Sequence, residues 1–98
     1  MDKQFDEILT ILQEECAEVI QVASKLRRFG RFNNDTLSGK TNIFLLQQEL
    51  GDVMAMIDLL HAHDYVDLKH IHQLKHNKFE KLKTWSDIDI DYNKLKDL

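Results

Sequence analysis

The sequence holds no proline and only three glycines, so little in it breaks a helix or demands a tight turn. Its one cysteine, Cys16, excludes an internal disulfide and fits a reducing compartment, so a cytoplasmic location is expected. No apolar run approaches the roughly 18 residues of a membrane span, and the opening M-D-K-Q-F-D-E lacks the pattern of a secretory leader. Neither a membrane nor a disulfide framework is therefore expected. Positive charge is also short. Lys and Arg number 13 against 17 Asp and Glu, a net charge of −4, which argues against a nucleic-acid partner because a polyanion binder carries a basic surface. Ninety-eight residues correspond to a single domain, 1–98, near the lower end of what buries a core unaided.

What is present is helical periodicity. Phe5, Ile8, Leu9, Leu12, Cys16, Val19, Ile20, Ala23 and Leu26 recur at i, i+3, i+4 intervals, predicting one amphipathic helix over 2–29. The stretch 30–40, G-R-F-N-N-D-T-L-S-G-K, reads as the one loop-like segment. A second helix is predicted over 41–63, with Ile43, Leu46, Leu50, Val53, Ile57 and Leu60 on its face. Asp64 or Asp67 then caps a third, running to about residue 85 through Leu68, Ile71, Leu74, Phe79 and Leu82. The tail 86–98 alternates Asp with Ile and Tyr and reads equally as a strand, a short helix or a partner-binding arm. The fold class is all-α, an antiparallel bundle of three main helices.

Four acidic residues stand apart from this pattern: Glu15 and Glu18 on the first helix, Glu49 and Asp52 on the second. Each pair is spaced i, i+3, so its carboxylates are neighbours about one turn apart. At about 100° per residue the first helix's apolar axis passes near Leu12, Cys16, Val19 and Ala23, and that of the second through Leu46, Leu50, Val53 and Ile57. Both pairs then take the same shoulder of their helix, among Ile8, Ile11 and Val22 or Leu45, Met56 and Leu59. Glu14 points away. Helices packed by their apolar faces bring the four carboxylates to one edge of the seam, where an unpaired charge is costly. A hard divalent cation such as Mg²⁺ compensates them, unless Lys25 or Arg28 does so by ion pairing.

On the third helix Lys78 is expected almost on the apolar axis, with Lys75 inside the same arc and Asn77 and Lys81 on one shoulder. Lys78 and Lys81 then either snorkel to solvent or offer positive charge to phosphate oxygens, with Asn77 as an amide partner. Lys25 follows Glu18 by two turns on the same side and joins the candidate substrate-binding residues. Arg27, Arg28, Arg31 and Lys40 cluster around the loop, which reads equally as a lid over phosphates or as a basic surface.

E-E-C-A-E-V-I-Q-V-A-S-K followed by E-L-G-D-V-M-A-M-I-D-L-L resembles the E-E-x-x-E … E-x-x-D signature of the MazG-like, all-α nucleoside triphosphate pyrophosphohydrolases. The later N-K-F-E-K-L-K resembles that family's basic third-helix segment, with Lys81 where an arginine is usual. The resemblance implies Mg²⁺, with Mn²⁺ as a substitute, on Glu15, Glu18, Glu49 and Asp52. It also implies hydrolysis of a nucleoside triphosphate to the monophosphate and pyrophosphate; in such a reaction Glu15 is the glutamate expected to orient or deprotonate the water. It further implies a homodimer or homotetramer that completes the bundle, the tail 86–98 being a candidate oligomerisation arm. A phosphoribosyl-ATP pyrophosphatase shares this kind of fold and stands as an alternative, as does a non-catalytic helical interaction module. A carboxylate-bridged redox centre wants E-x-x-H, and neither acidic pair has a histidine at that offset. Trp85, Tyr65, Phe29 and Phe32 are available to stack on a base.

Overall fold

The computed structural model describes residues 1–35 and 37–98; Thr36, inside the expected loop, lies outside the described residues. Among those residues it is all-helical, with four helices: α1 (Lys3–Phe29), α2 (Asn42–Ala62), α3 (Leu68–Trp85) and a short α4 (Tyr92–Leu95). Extended pairing among them is limited to one isolated bridge, Asn34 with Thr41. The boundaries follow from local chemistry. Asp2 caps α1 by accepting from the Phe5 amide at 2.6 Å, and Thr41 caps α2 by accepting from Phe44 at 3.3 Å. Gly30 ends α1 at φ 86°, where its amide donates to the Leu26 carbonyl. The cap of α3 is Asp67, which accepts from the Lys69 amide at 3.0 Å. Asp64 instead turns the chain at φ 62°.

The chain divides into two compact units, 1–66 and 67–98. In the first, α1 and α2 form an antiparallel hairpin. Ile8 near the start of α1 clusters with Met56 and Leu60 near the end of α2, flanked by Ile11, Leu12, Tyr65 and Val66. Ile8, Val22, Met56 and Leu60 are the buried apolar residues. At the loop end the Ile43 amide donates to the Arg31 carbonyl and the Asn42 amide to that of Asn33. At the open end Tyr65 donates to the Asp2 carboxylate at 2.9 Å and packs edge-on to Phe5.

The inward stripe of α1 is Ile8, Ile11, Leu12, Glu15, Val19, Val22 and Leu26; that of α2 is Asn42, Leu45, Leu46, Glu49, Val53, Met56 and Leu60. Each member of the second stripe stands 34 positions after its counterpart in the first. The hairpin is thus approximately two-fold symmetric about its middle, where the acidic pairs lie. This rotates the expected axis: Leu12, Val19, Leu46 and Val53 stay on the inward side, and some other members of the expected axis do not. Cys16 and Ala23 are exposed, as are Ile20, Leu50 and Met54, and the expected shoulder, Leu59 apart, joins the seam. Both helices carry apolar residues over an arc wider than one neighbour can cover, and the hairpin buries the side that holds the acids.

In the second unit, Ile71, Lys75, His76, Phe79 and Leu82 are the half-buried row of α3. Lys78 is exposed, a correction to its expected place on the axis; Lys75 occupies that line instead. The reason is the tail, which packs back on α3. Tyr92 donates to Glu80 and lies under the Lys83 ammonium, 4.2 Å from the ring centroid, while His76 Nε2 is 3.1 Å from the Leu98 carbonyl. The tail is therefore an extended segment ending in a short helix.

Candidate metal centre

Glu15 and Glu49 occupy equivalent places on the inward stripes of α1 and α2, and Glu18 and Asp52 sit one turn further along at the exposed edge. The antiparallel hairpin brings the two pairs face to face. Each of the four offers a carboxylate oxygen, and these oxygens all lie within 4.8 Å of one another. Ligands about 2.1 Å from a six-coordinate cation are separated by roughly 3–4 Å, so the cluster is on the scale of a single-ion or closely spaced two-ion site. Glu14 is exposed on the other side of α1, as the helical wheel requires.

The electrostatics are those of a crowded anionic site. Glu15 Oε2 and Glu49 Oε2 have no accessible surface and no hydrogen-bond partner. Ionised carboxylates cannot donate to each other, so a shared proton or a cation would satisfy such a pair. The Glu49 carboxyl is pushed up to about 7, first by its contact with Glu18, which becomes a hydrogen bond only when one of them is protonated. Burial comes next, followed by the charges of Glu18, Asp52 and Glu15. The Glu15 carboxyl is raised too, by burial above all and then by the charges of Glu18 and Asp52. These orphaned oxygens fit a hard, oxygen-preferring cation, and the absence of His or Cys from the set weighs against a soft one.

Neither candidate counter-ion meets this need. Lys25 pairs with Asp35 at 3.1 Å, and the Arg28 guanidinium lies over the Phe29 ring, 5.0 Å from its centroid. Asp35 also accepts from the Ser38 and Leu37 amides, at 2.9 and 3.2 Å. These bonds hold its carboxyl down at about 2, the Ser38 amide contributing most and Lys25 next. Asp35 and the buried Asn42, whose side chain donates to the Gly30 carbonyl at 3.2 Å, are residues that sequence reasoning missed. For Asp35 the signal is there: a carboxylate followed three residues on by Ser38 and four on by Gly39 is a turn-forming pattern. Asn77, Lys78 and Lys81 belong to the second unit and are exposed on α3.

Comparison with known protein families, characterised proteins and solved structures finds no match to this chain. The functional reading therefore rests on the residues and their geometry.

Proposed function

We propose that the chain is a Mg²⁺-dependent nucleotide pyrophosphohydrolase that converts a nucleoside triphosphate to its monophosphate and pyrophosphate. The observation that carries this reading is the convergence of Glu15, Glu18, Glu49 and Asp52, with two oxygens buried and unpartnered. Bound there, Mg²⁺, or Mn²⁺ in its place, supplies positive charge for phosphate oxygens and lowers the pKa of water. Glu18, Glu49 and Asp52 would hold the ion by their carboxylates. Glu15 would serve as ligand and, through a carboxylate oxygen, as acceptor of the water's proton. The water oxygen forms a bond to the α-phosphorus, the bond from that phosphorus to the bridging oxygen breaks, and pyrophosphate leaves with the electron pair. Lys78 and Lys81, exposed on α3 of the second unit, are proposed as phosphate-binding groups and Asn77 as a hydrogen-bonding group, with no placement against the acidic centre implied. Among the described residues the two ammonium groups have no carboxylate within ion-pair distance. Self-association of the chain is part of the proposal, because Ile20 and Met54 are open to solvent.

The test is pyrophosphate release from a panel of common and modified nucleoside triphosphates and phosphoribosyl-ATP, with and without Mg²⁺, beside a thermal shift on adding Mg²⁺ alone. Metal-dependent release from at least one substrate is expected. No release from any of them and no thermal shift would sink the proposal in favour of a helical interaction module.

A further inference from the structure

Where α1 gives way to the loop and the loop enters α2, the first unit holds a cavity of about 380 Å³ lined by Lys25, Phe29, Asn33, Asn34, Asp35, Leu37 and Asn42. It is an open cleft whose volume suits a small organic group, with the exposed Phe29 and Leu37 as its apolar side and a few polar atoms beside them. The cavity carries no net charge to attract phosphate, because its one cation, Lys25, is held by Asp35. Asp35 is itself saturated by Lys25, Leu37 and Ser38. What remains to be bonded is neutral. Among the described residues the side-chain amides of Asn33 and Asn34 make no hydrogen bond within the protein, while their backbones are pinned to the start of α2. The Asn33 carbonyl accepts from the Asn42 amide at 3.0 Å, and Asn34 bridges to Thr41. Asn42, 2% exposed, is tied to Gly30 and fixes that side of the cavity. The two exposed side-chain amides, carried on a pinned backbone, offer donors and acceptors at the cavity. The Phe29 ring has Arg28 over one face, which leaves its other face for a planar group.

The cavity also has a defined relation to the acidic centre. Lys25 follows Glu18 by seven residues on one unbroken helix, so the two share a face about 10 Å apart along the axis. A sugar and its phosphate chain bridge such a span. We propose that this cavity takes the uncharged end of the substrate, a nucleobase with its sugar, with Asn33 and Asn34 reading the edge of the base and Phe29 stacking on it. The assignment rests on the hydrolase reading for its link to the phosphates, and it makes Lys25 a wall of the base site.

The test is therefore built so that the two readings fail separately. Unphosphorylated nucleosides of each common base are titrated, without Mg²⁺, into the full ¹⁵N-labelled chain. The side-chain amide signals of Asn33 and Asn34 and the backbone amide of Leu37 are expected to move saturably with at least one nucleoside. In the double variant Asn33→Ala, Asn34→Ala the Leu37 shift should be lost while the remaining spectrum stays in place. Unmoved signals with every nucleoside overturn the assignment. In the hydrolysis assay the double variant should raise KM about tenfold, the loss of one to two net hydrogen bonds, with kcat kept and base preference levelled. Turnover with unchanged KM and preference overturns the base site and leaves the metal centre standing. Nucleoside shifts without hydrolysis keep the site and sink the hydrolase reading.

Discussion

Glu49 concentrates the tension in this molecule. Its carboxyl faces Glu18, Asp52 and Glu15, one of its oxygens is closed off from water, and its affinity for a proton is raised to about 7 from an ordinary 4.5. In the metal-free protein this group binds its proton more tightly when folded than when unfolded. Between pH 4.5 and 7 the native state therefore holds more protons than the unfolded state, and stability falls as pH rises, the loss being complete above about 7. Thermal denaturation of metal-free protein should show a higher midpoint near pH 5 than near pH 8, and Mg²⁺ should restore the midpoint at the higher pH. A midpoint that rises from pH 5 to 8 without metal would contradict this account. Glu49→Gln removes the charge and keeps the shape. It should raise the metal-free midpoint at pH 8 by a few degrees, flatten the pH dependence and abolish the response to Mg²⁺. Hydrolysis should fall by ~100-fold or more, since a lost ligand forfeits several kcal/mol of transition-state stabilisation. Glu49→Ala should leave the helical circular dichroism intact and be equally inactive. An active Glu49→Gln variant would remove the residue from the centre.

At the scale of helices, the ends and the acidic set were legible in the sequence, and the orientation of the faces was not. Asp2, Thr41 and Asp67 have side chains that cap, and the absence of proline let each helix run its full length. The four acids were identifiable because i, i+3 spacing within apolar sequence puts charge where only a ligand or a counter-ion makes it tolerable. The rotation of α1 and α2 was hidden. Each carries apolar residues on more than one side, and the sequence does not say which side meets a neighbour in the same chain. Seating Glu15 and Glu49 on the seam costs more than seating Cys16 and Leu50 there, unless the carboxylates have a ligand to hold. On α3 the difference in axis comes from the tail, whose alternating Asp and Ile gave no sign that Tyr92 would return to Glu80 and Lys83. Gly51 lies inside α2 between Leu50 and Asp52, and a Cβ placed on it meets nothing within 4 Å. Gly51→Ala should therefore stabilise the protein by about 0.5–1 kcal/mol through helix propensity alone, read as a higher unfolding midpoint, with the Mg²⁺-induced thermal shift unchanged. A stabilised variant that no longer responds to Mg²⁺ would mean that bound ligand approaches the backbone at this glycine.

For the molecule as a whole, the question is what covers the apolar surface of the first unit. Ile20 is 69% exposed and Met54 65%, and these two are equivalent positions of the two-fold hairpin, as are the exposed Cys16 and Leu50. Beside Ile20, an open groove of about 620 Å³ is lined by Ala23, Ser24, Arg27 and Arg28 as well. A hairpin whose buried apolar residues are Ile8, Val22, Met56 and Leu60 has a small core for its length, and chains of this size commonly gain the missing burial by association. Sedimentation of the wild-type chain should give a mass of two or four times 11.6 kDa. Ile20→Asp with Met54→Asp places two charges on the symmetric stripe without touching the seam or the carboxylates. That variant should sediment at the single-chain mass, with a lower unfolding midpoint that no longer rises with protein concentration. Its Mg²⁺-induced thermal shift should persist, because all four carboxylates belong to one hairpin. A wild-type chain that sediments at 11.6 kDa across the accessible concentration range would show that the stripe is not covered by a second copy.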